Sequence, residues 1–244
     1  MNMAKIVVTM TTVPERLNTT LPVALKSILN MNTEDYEVHL NIPHKHTKTG
    51  KEYVIPQSIV GAPRLKIFDG LEDQGPKTKI LPTIKRLEDD AIIITADDDI
   101  IYNKEMINYH LKMREKYNDS AIGFSGTRGN IMHYFTRIDV EVDILDNYKS
   151  ASYDRKFFGD DINDVYAPQC WNDDIIVSAY LRDKGIKKHV VAYDKETFFI
   201  PRVVSFPIIR LMESSGTGCD MIRGHTRKNT TQELQQMYQS VKGA

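Results

Sequence analysis

Cysteine is almost missing from this chain: its 244 residues include only Cys170 and Cys219. Two cysteines cannot build a disulfide framework or an all-cysteine zinc site, and such sparing use fits a reducing compartment. No apolar run approaches the ~18–20 residues that a membrane-spanning helix requires. Neither sign of charge is in excess, with 32 Lys+Arg against 33 Asp+Glu and a formal net charge of −1. A dedicated nucleic-acid binder would carry a basic surplus. No internal repeat and no linker rich in Gly, Ser or Pro interrupts the chain, and Met1 leads almost directly into Ile6-Val7-Val8 without a signal-peptide pattern. The phosphate loop G-x-x-x-x-G-K-[ST], the dinucleotide fingerprint G-x-G-x-x-G and the zinc helix H-E-x-x-H are all absent. Gly123-Phe124-Ser125-Gly126-Thr127 does not have the G-x-S-x-G spacing of a nucleophile elbow. The expectation is a soluble, cytoplasmic protein with no transmembrane segment and no nucleic-acid partner. Its abrupt ending at Val241-Lys242-Gly243-Ala244 is compatible with a piece of a longer multidomain chain.

What is present is ordinary globular composition, 41% hydrophobic and 27% charged, ample for a sizeable core. Short apolar runs alternate with amphipathic ones. Strands are expected at Lys5–Met10, Glu37–Ile42, Leu65–Phe68 and Ala91–Ala96. Between them, Leu21, Ala24, Leu25, Ile28 and Leu29 recur at helical spacing, and so do Ile80, Ile84 and Leu87 in Lys79–Leu87. The βαβα rhythm predicts an α/β protein with a mostly parallel central sheet flanked by helices. Ala91–Ala96 is apolar on both faces, as a central parallel strand is. Further on, the pattern predicts a helix at Glu105–Tyr117 and strands at Ala121–Gly126 and Asn130–Phe135. A helix at Asp173–Lys184 stopped by Gly185, a strand at His189–Tyr193 and a last helix at Thr231–Val241 follow. The acidic, aromatic stretch Asp139–Gln169 takes no assignment. One domain over residues 1–244, with unequal parts at 1–102 and 103–244, accounts for the whole.

The sharpest chemical feature is Asp97-Asp98-Asp99, directly after the most apolar strand. Carboxyl ends of strands form the ligand crevice in open α/β sheets. Three adjacent carboxylates repel one another and are costly to desolvate, so a cation there is favourable. Hard divalent ions accept such oxygen ligands and bridge them to substrate phosphates. If the chain stays extended, alternation puts Asp97 and Asp99 on one side and Asp98 on the other. The plain alternative is a solvated acidic turn that ends the strand.

Three other segments stand out. In Trp171-Asn172-Asp173-Asp174, Asn172 can cap a helix whose first turn holds both acids, which the helix dipole alone would favour. An aromatic platform beside carboxylates is equally a sugar-binding pattern. In Asp73-Gln74-Gly75-Pro76-Lys77-Thr78-Lys79, lysines at a helix start oppose the dipole, so a phosphate or a carboxylate of the aspartate cluster would have to favour them; solvated surface lysines are the bland reading, above all for Lys77. Near the end, Arg223-Gly224-His225-Thr226-Arg227-Lys228 is basic; Arg210, Arg223 and Arg227 suit a pyrophosphate, and His225 is a candidate metal ligand, though a lone histidine is more often a satisfied structural group. Cys170 has no evident activating partner and reads as a packing residue.

Taken together, five segments in order resemble the DXD-type glycosyltransferases of the GT-A fold, in particular small sugar transferases of bacterial polysaccharide loci and large algal viruses. They are Val8–Arg16, Leu40-Asn41-Ile42-Pro43, Gly75–Lys79 with Leu81-Pro82-Thr83, Asp97–Tyr102, and Asn172-Asp173-Asp174. The resemblance implies a GT-A-like domain with a nucleotide-sugar-binding half at 1–102 and an acceptor-side half at 103–244. It implies that Thr11, Thr12, Val13 and Arg16 hold the nucleotide, that Asn41 lies near the base, and that Lys79 reaches donor phosphate or sugar. Asp97 and Asp98 would contact the nucleotide-sugar, and Asp99, Asp97 and His225 would hold Mn²⁺ or Mg²⁺. Asp174 or Asp173 would act on the acceptor side, where many inverting relatives read Glu-Asp. The implied activity is hexosyl or deoxyhexosyl transfer from a UDP-sugar donor to a hydroxyl of a glycan or glycoprotein, in the cytoplasm (the host's, for a viral chain). Inversion and retention stay open. The rivals are a sugar-nucleotide nucleotidyltransferase, which usually has a Gly-rich basic loop after the first strand, and a non-catalytic sugar-nucleotide or glycan-binding module. An aspartyl phosphatase fails at Ile101, where D-x-D-x-[TV] needs Thr or Val.

Overall fold

The computed structural model describes residues 4–134, 136, 138–147, 149–162 and 172–192. The first half follows the expected rhythm: β1 (Ile6–Thr11), α1 (Leu21–Leu29), β2 (Tyr36–Pro43), β3 (Leu65–Leu71), α2 (Leu81–Arg86) and β4 (Ile92–Thr95). These four strands pair in the order β3-β2-β1-β4, all parallel. Then come α3 (Met106–Lys116), β5 (Ser120–Gly123), β6 (Ser125–Arg128), β7 (Ile131–Tyr134), β8 (Val140–Glu141), β9 (Ile144–Leu145), β10 (Ala151–Asp154), α4 (Asp173–Asp183) and β11 (Lys187–Val190). The main sheet has eight strands, β3-β2-β1-β4-β10-β5-β11-β8, and turns antiparallel at β10. This is the α/β, mostly parallel, helix-flanked class expected. β7-β6-β9 form a separate three-stranded sheet.

Alternation along the strands divides the core into two layers. Val8, Met10, Val38, Leu40 and Ile94 face one way, onto Leu21, Leu25 and Ile28 of α1 and Met106 and Ile107 of α3. Val7 and Ile93 face the other way, onto Ile80, Leu81 and Ile84 around α2 and Val177, Tyr180 and Leu181 of α4. Each fully buried aliphatic side chain contributes roughly 1.5–3 kcal/mol by leaving water. Those two covered faces fix where the end of β4 lies between the helices.

Two departures from the expected elements have local causes. Ala121–Gly126 is not one strand: the chain breaks at Phe124, so that β5 stays in the main sheet while β6 enters the small one. Gly126 permits the crossing, since a Cβ there would lie 2.6 Å from the Ile144 carbonyl oxygen. Lys79 does not begin an α-helix. Gly75–Lys79 form a 3-10 turn and α2 starts at Leu81, each with a proline (Pro76, Pro82) in its first positions. That tight turn puts Lys77 and Lys79 under cover, which corrects the reading of Lys77 as a solvated surface lysine. α4 ends as expected at Gly185, which adopts φ +71. Among the described residues no helix is long and apolar enough to cross a membrane.

Candidate functional site

The site lies at the carboxyl ends of β1 and β4. β4 stops at Thr95, and Asp98-Asp99 already belong to a turn. The strict alternation expected for Asp97 to Asp99 therefore does not hold. Asp98 and Asp99 share one partner: Arg16 Nη1 lies 2.6 Å from Asp98 Oδ1 and 3.2 Å from Asp99 Oδ2. Asp98 is buried and also accepts a hydrogen bond from Thr12 Oγ1 at 2.6 Å. Asp97 turns away to Lys79, whose Nζ is 2.5 Å from Asp97 Oδ1. The buried Tyr102 hydroxyl accepts from the Asp97 backbone N–H at 2.7 Å and fixes the start of the turn.

The loop after β1 thus supplies one cation and one hydroxyl to the acidic turn. Val13 precedes a 3-10 turn at Pro14–Arg16, which brings the guanidinium back over the carboxylates. Tyr53 reaches in from the 44–61 loop and donates to the Thr12 carbonyl at 3.3 Å. Thr11 is engaged with β2 through the Asn41 carbonyl at 2.8 Å. Asn41 itself is fully buried. Its amide donates to Thr9 Oγ1, Thr83 Oγ1 and the Lys79 carbonyl, and its Oδ1 accepts from Arg86. Its visible work is to hold the Lys79 turn against β1, and its side chain has no open face toward a base.

Asp173 and Asp174 arrive from α4. Asn172 caps that helix, its Oδ1 accepting from the N–H groups of Asp174 at 2.9 Å and Ile175 at 3.2 Å. With the cap filled by asparagine, both carboxylates turn elsewhere. Asp173 Oδ2 lies 3.7 Å from Lys79 Nζ and 3.1 Å from Asn147 Nδ2. Asp174 Oδ1 accepts from the Asn147 backbone N–H at 2.6 Å. Asn147 was not among the expected site residues; it lies in the stretch Asp139–Gln169, where no motif marks it. Asp146 beside it is a second addition.

Electrostatics follow from burial and crowding. Burial, reinforced by Asp97, raises the Asp99 carboxyl to about 7 despite Arg16. Burial also pushes Asp174 well above the carboxylate range, helped by Asp173 and Asp146. Asp146 is raised to about 6, again mainly by burial. Burial works against the charge of Lys79, but Asp97, Asp173 and Asp174 outweigh it and hold the ammonium charged. Arg16 is kept charged in the same way by Asp98 and Asp99. Six carboxyl groups (Asp97, Asp98, Asp99, Asp146, Asp173, Asp174) are thus set against Lys79, Arg16 and Lys149.

That surplus of hard oxygen donors suits a divalent cation in kind. Among the described residues, no group of three or more His, Cys, Asp or Glu side chains is gathered closely enough to enclose one. An ion at Asp97 and Asp99 would need further donors beyond the side chains gathered among the described residues. His225, Arg210, Arg223, Arg227, Trp171, Cys170 and the helix expected at Thr231–Val241 lie outside the described residues.

Fold and site together define an α/β protein with a buried acidic, lysine-bridged cluster at the carboxyl ends of its parallel strands. No family model matches the chain, and no curated protein matches it. Among solved structures it is similar to residues 1–349 of TarS from S. aureus. There the TM-score is 0.49 and the identity 14%, over 94% of this chain and 77% of that one.

Proposed function

We propose that this protein is a metal-dependent glycosyltransferase, of GT-A type, that moves a hexosyl or deoxyhexosyl group from a UDP-sugar to a hydroxyl of a glycan or glycoprotein. One observation carries the proposal. Lys79 touches Asp97 and lies 3.7 Å from Asp173, so three motifs far apart in sequence meet in one cluster. Two of them, the acidic turn and the acid pair of α4, would serve donor and acceptor respectively, with the lysine between.

In this reading Thr12, Val13 and Arg16 line the nucleotide side, and Arg16 and Asp98 brace each other there. Asp97 and Asp99 are the residues that would hold Mn²⁺ or Mg²⁺, which when bound offsets the charge of a leaving diphosphate. Lys79 presents a fixed positive charge to the same diphosphate. If the anomer inverts, the α4 acid pair is the candidate to take the proton of the acceptor hydroxyl; Asp174 serves only once ionised, a form that its burial disfavours. If the anomer is retained, the pair only positions the sugar. Asn41 acts at one remove, through the Lys79 turn.

A panel of UDP-sugars, each with and without Mn²⁺, tests the reading. Metal-dependent release of free UDP is the expected result, and NMR of the product anomer then separates inversion from retention. Release of pyrophosphate instead would assign a nucleotidyltransferase. Binding without turnover across donors and acceptors would assign a non-catalytic module.

A further inference from the structure

Asn147 is fully buried, yet each of its polar groups is spent on the candidate site or its supports. Its backbone N–H donates to Asp174 Oδ1 at 2.6 Å, and its side-chain Nδ2 donates to Asp173 Oδ2 at 3.1 Å. Its Oδ1 accepts from the buried Tyr153 hydroxyl at 2.9 Å. Its carbonyl accepts from the Ser150 N–H at 3.3 Å and from Thr95 Oγ1 at 3.4 Å. Thr95 is the last residue of β4, two before Asp97. A single residue therefore ties the strand that delivers the aspartate turn to both acids of α4.

The backbone around it is shaped for this. Lys149 (φ 70) and Ser150 (φ 111) are consecutive non-glycine residues in positive-φ conformations. Such conformations persist only where the surroundings impose them, and they gather at functional sites. Here the restraints are visible: Ser150 is buried, its N–H is held by Asn147, and its hydroxyl lies 2.8 Å from His110 Nε2. Asn147 faces α4 while Ala151 enters β10.

We infer that Asn147 is a positioning residue that aims Asp173 through its side-chain amide and Asp174 through its backbone amide. This rests on the glycosyltransferase reading for its catalytic consequence, but not for its geometry. The division of labour matters. Substituting the side chain strips Asp173 of its donor and leaves the bond to Asp174 in place. Asparagine is the residue the site needs, because it donates toward Asp173 and accepts from Tyr153 at once. Aspartate has the same shape but places an acceptor against Asp173.

Two experiments on the full chain decide this. In turnover assays with the UDP-sugar panel and Mn²⁺, Asn147→Ala and Asn147→Asp should each lower kcat about 100-fold, with KM for the donor unchanged. Ser178→Ala is the structural control. It removes a buried bond from the Leu145 N–H to Ser178 Oγ (2.9 Å) nearby, and should leave kcat at the wild-type level. In ¹⁵N-edited NMR, Asp173→Ala should move the Asn147 side-chain amide signals, and Asp174→Ala its backbone amide signal, each without the other. The inference is overturned if Asn147→Asp keeps wild-type kcat, if Ser178→Ala loses as much as Asn147→Ala, or if the amide signals ignore the two acids. Should wild-type protein release UDP from no donor, the glycosyl-transfer reading fails, and the NMR result alone upholds or refutes the aiming of the two acids.

Discussion

Replacing Lys79 by methionine removes the charge at the centre of the site while keeping most of the stem's volume. The ammonium lies 2.5 Å from Asp97 and 3.7 Å from Asp173, and the side chains are 11%, 16% and 8% exposed. At an effective dielectric of about 20, Coulomb's law gives gross attractions of ~7 and ~4–5 kcal/mol at those separations. Desolvation of the three groups cancels much of this, so the pair as a whole adds little net stability. Deleting one partner is different, because the carboxylates stay buried without their cation. That loss is about 3–5 kcal/mol, a large part of the ~5–15 kcal/mol that holds a domain together. Lys79 keeps its proton in the folded state to higher pH than the ordinary 10.5. Its contribution is therefore complete below about pH 10.5 and is lost only as pH rises toward the folded value. Urea unfolding followed by circular dichroism, between pH 7 and 9, should show Lys79→Met less stable by about 3–5 kcal/mol with no pH trend due to this group. Millimolar Mn²⁺ should raise the melting temperature of the variant more than that of the wild type, since Asp97 and Asp99 then lack a competing ammonium. A variant within 1 kcal/mol of wild type would refute the assignment of Lys79 as the cation that neutralises this acidic cluster.

His110 is buried between Ser150 and Ser152, and burial lowers its imidazole to about 3. The unfolded chain binds this proton near 6.5 and the folded one does not, so stability falls with pH by about 2 kcal/mol between pH 7 and 5 from this residue alone; an NMR titration that finds His110 charging near pH 6.5 would contradict it. Asp99→Ala should abolish Mn²⁺-dependent UDP-sugar binding in calorimetry while unfolding stays cooperative, and unchanged affinity would remove Asp99 from the site. Asp174→Asn should leave donor binding intact and cut turnover about 100-fold, whereas full activity would transfer the role to Asp173. Gly126→Ala should destabilise by roughly 1–3 kcal/mol, because its Cβ would press on the Ile144 carbonyl, and a neutral result in urea unfolding would show that β6 can shift away.

The parts of the fold that the sequence announces are those whose burial is repetitive. β1, β2 and β4 are covered on both faces, so Ile6-Val7-Val8 and Ile92-Ile93-Ile94 stand out as apolar runs. β10 lies just as deep, between β4 and β5, yet its residues are Ala151-Ser152-Tyr153-Asp154. Its polar side chains are satisfied by partners outside the strand, two of them about forty residues away in sequence. Ser152 lies against His110, Tyr153 bonds to Asn147, and Asp154 pairs with Arg114. A hydropathy pattern registers none of this, because satisfaction by tertiary hydrogen bonds leaves no local signal.

The same reasoning separates the legible from the hidden members of the site. Asp97-Asp98-Asp99 and Asp173-Asp174 are conspicuous because carboxylates in a row, after a strand or at a helix start, need a reason. Lys79 could be suspected because a lysine beside a helix start opposes the dipole, and its carboxylate partner is one of the two explanations offered by the sequence. Asn147 gives no such warning. A buried asparagine between two acids is ordinary in composition, and its importance arises only when α4, β4 and the turn before β10 converge on it. Groups that carry charge into a protein interior therefore declare themselves in sequence through their cost. Neutral groups that aim those charges carry no such cost once paired, and only the geometry of their partners reveals them.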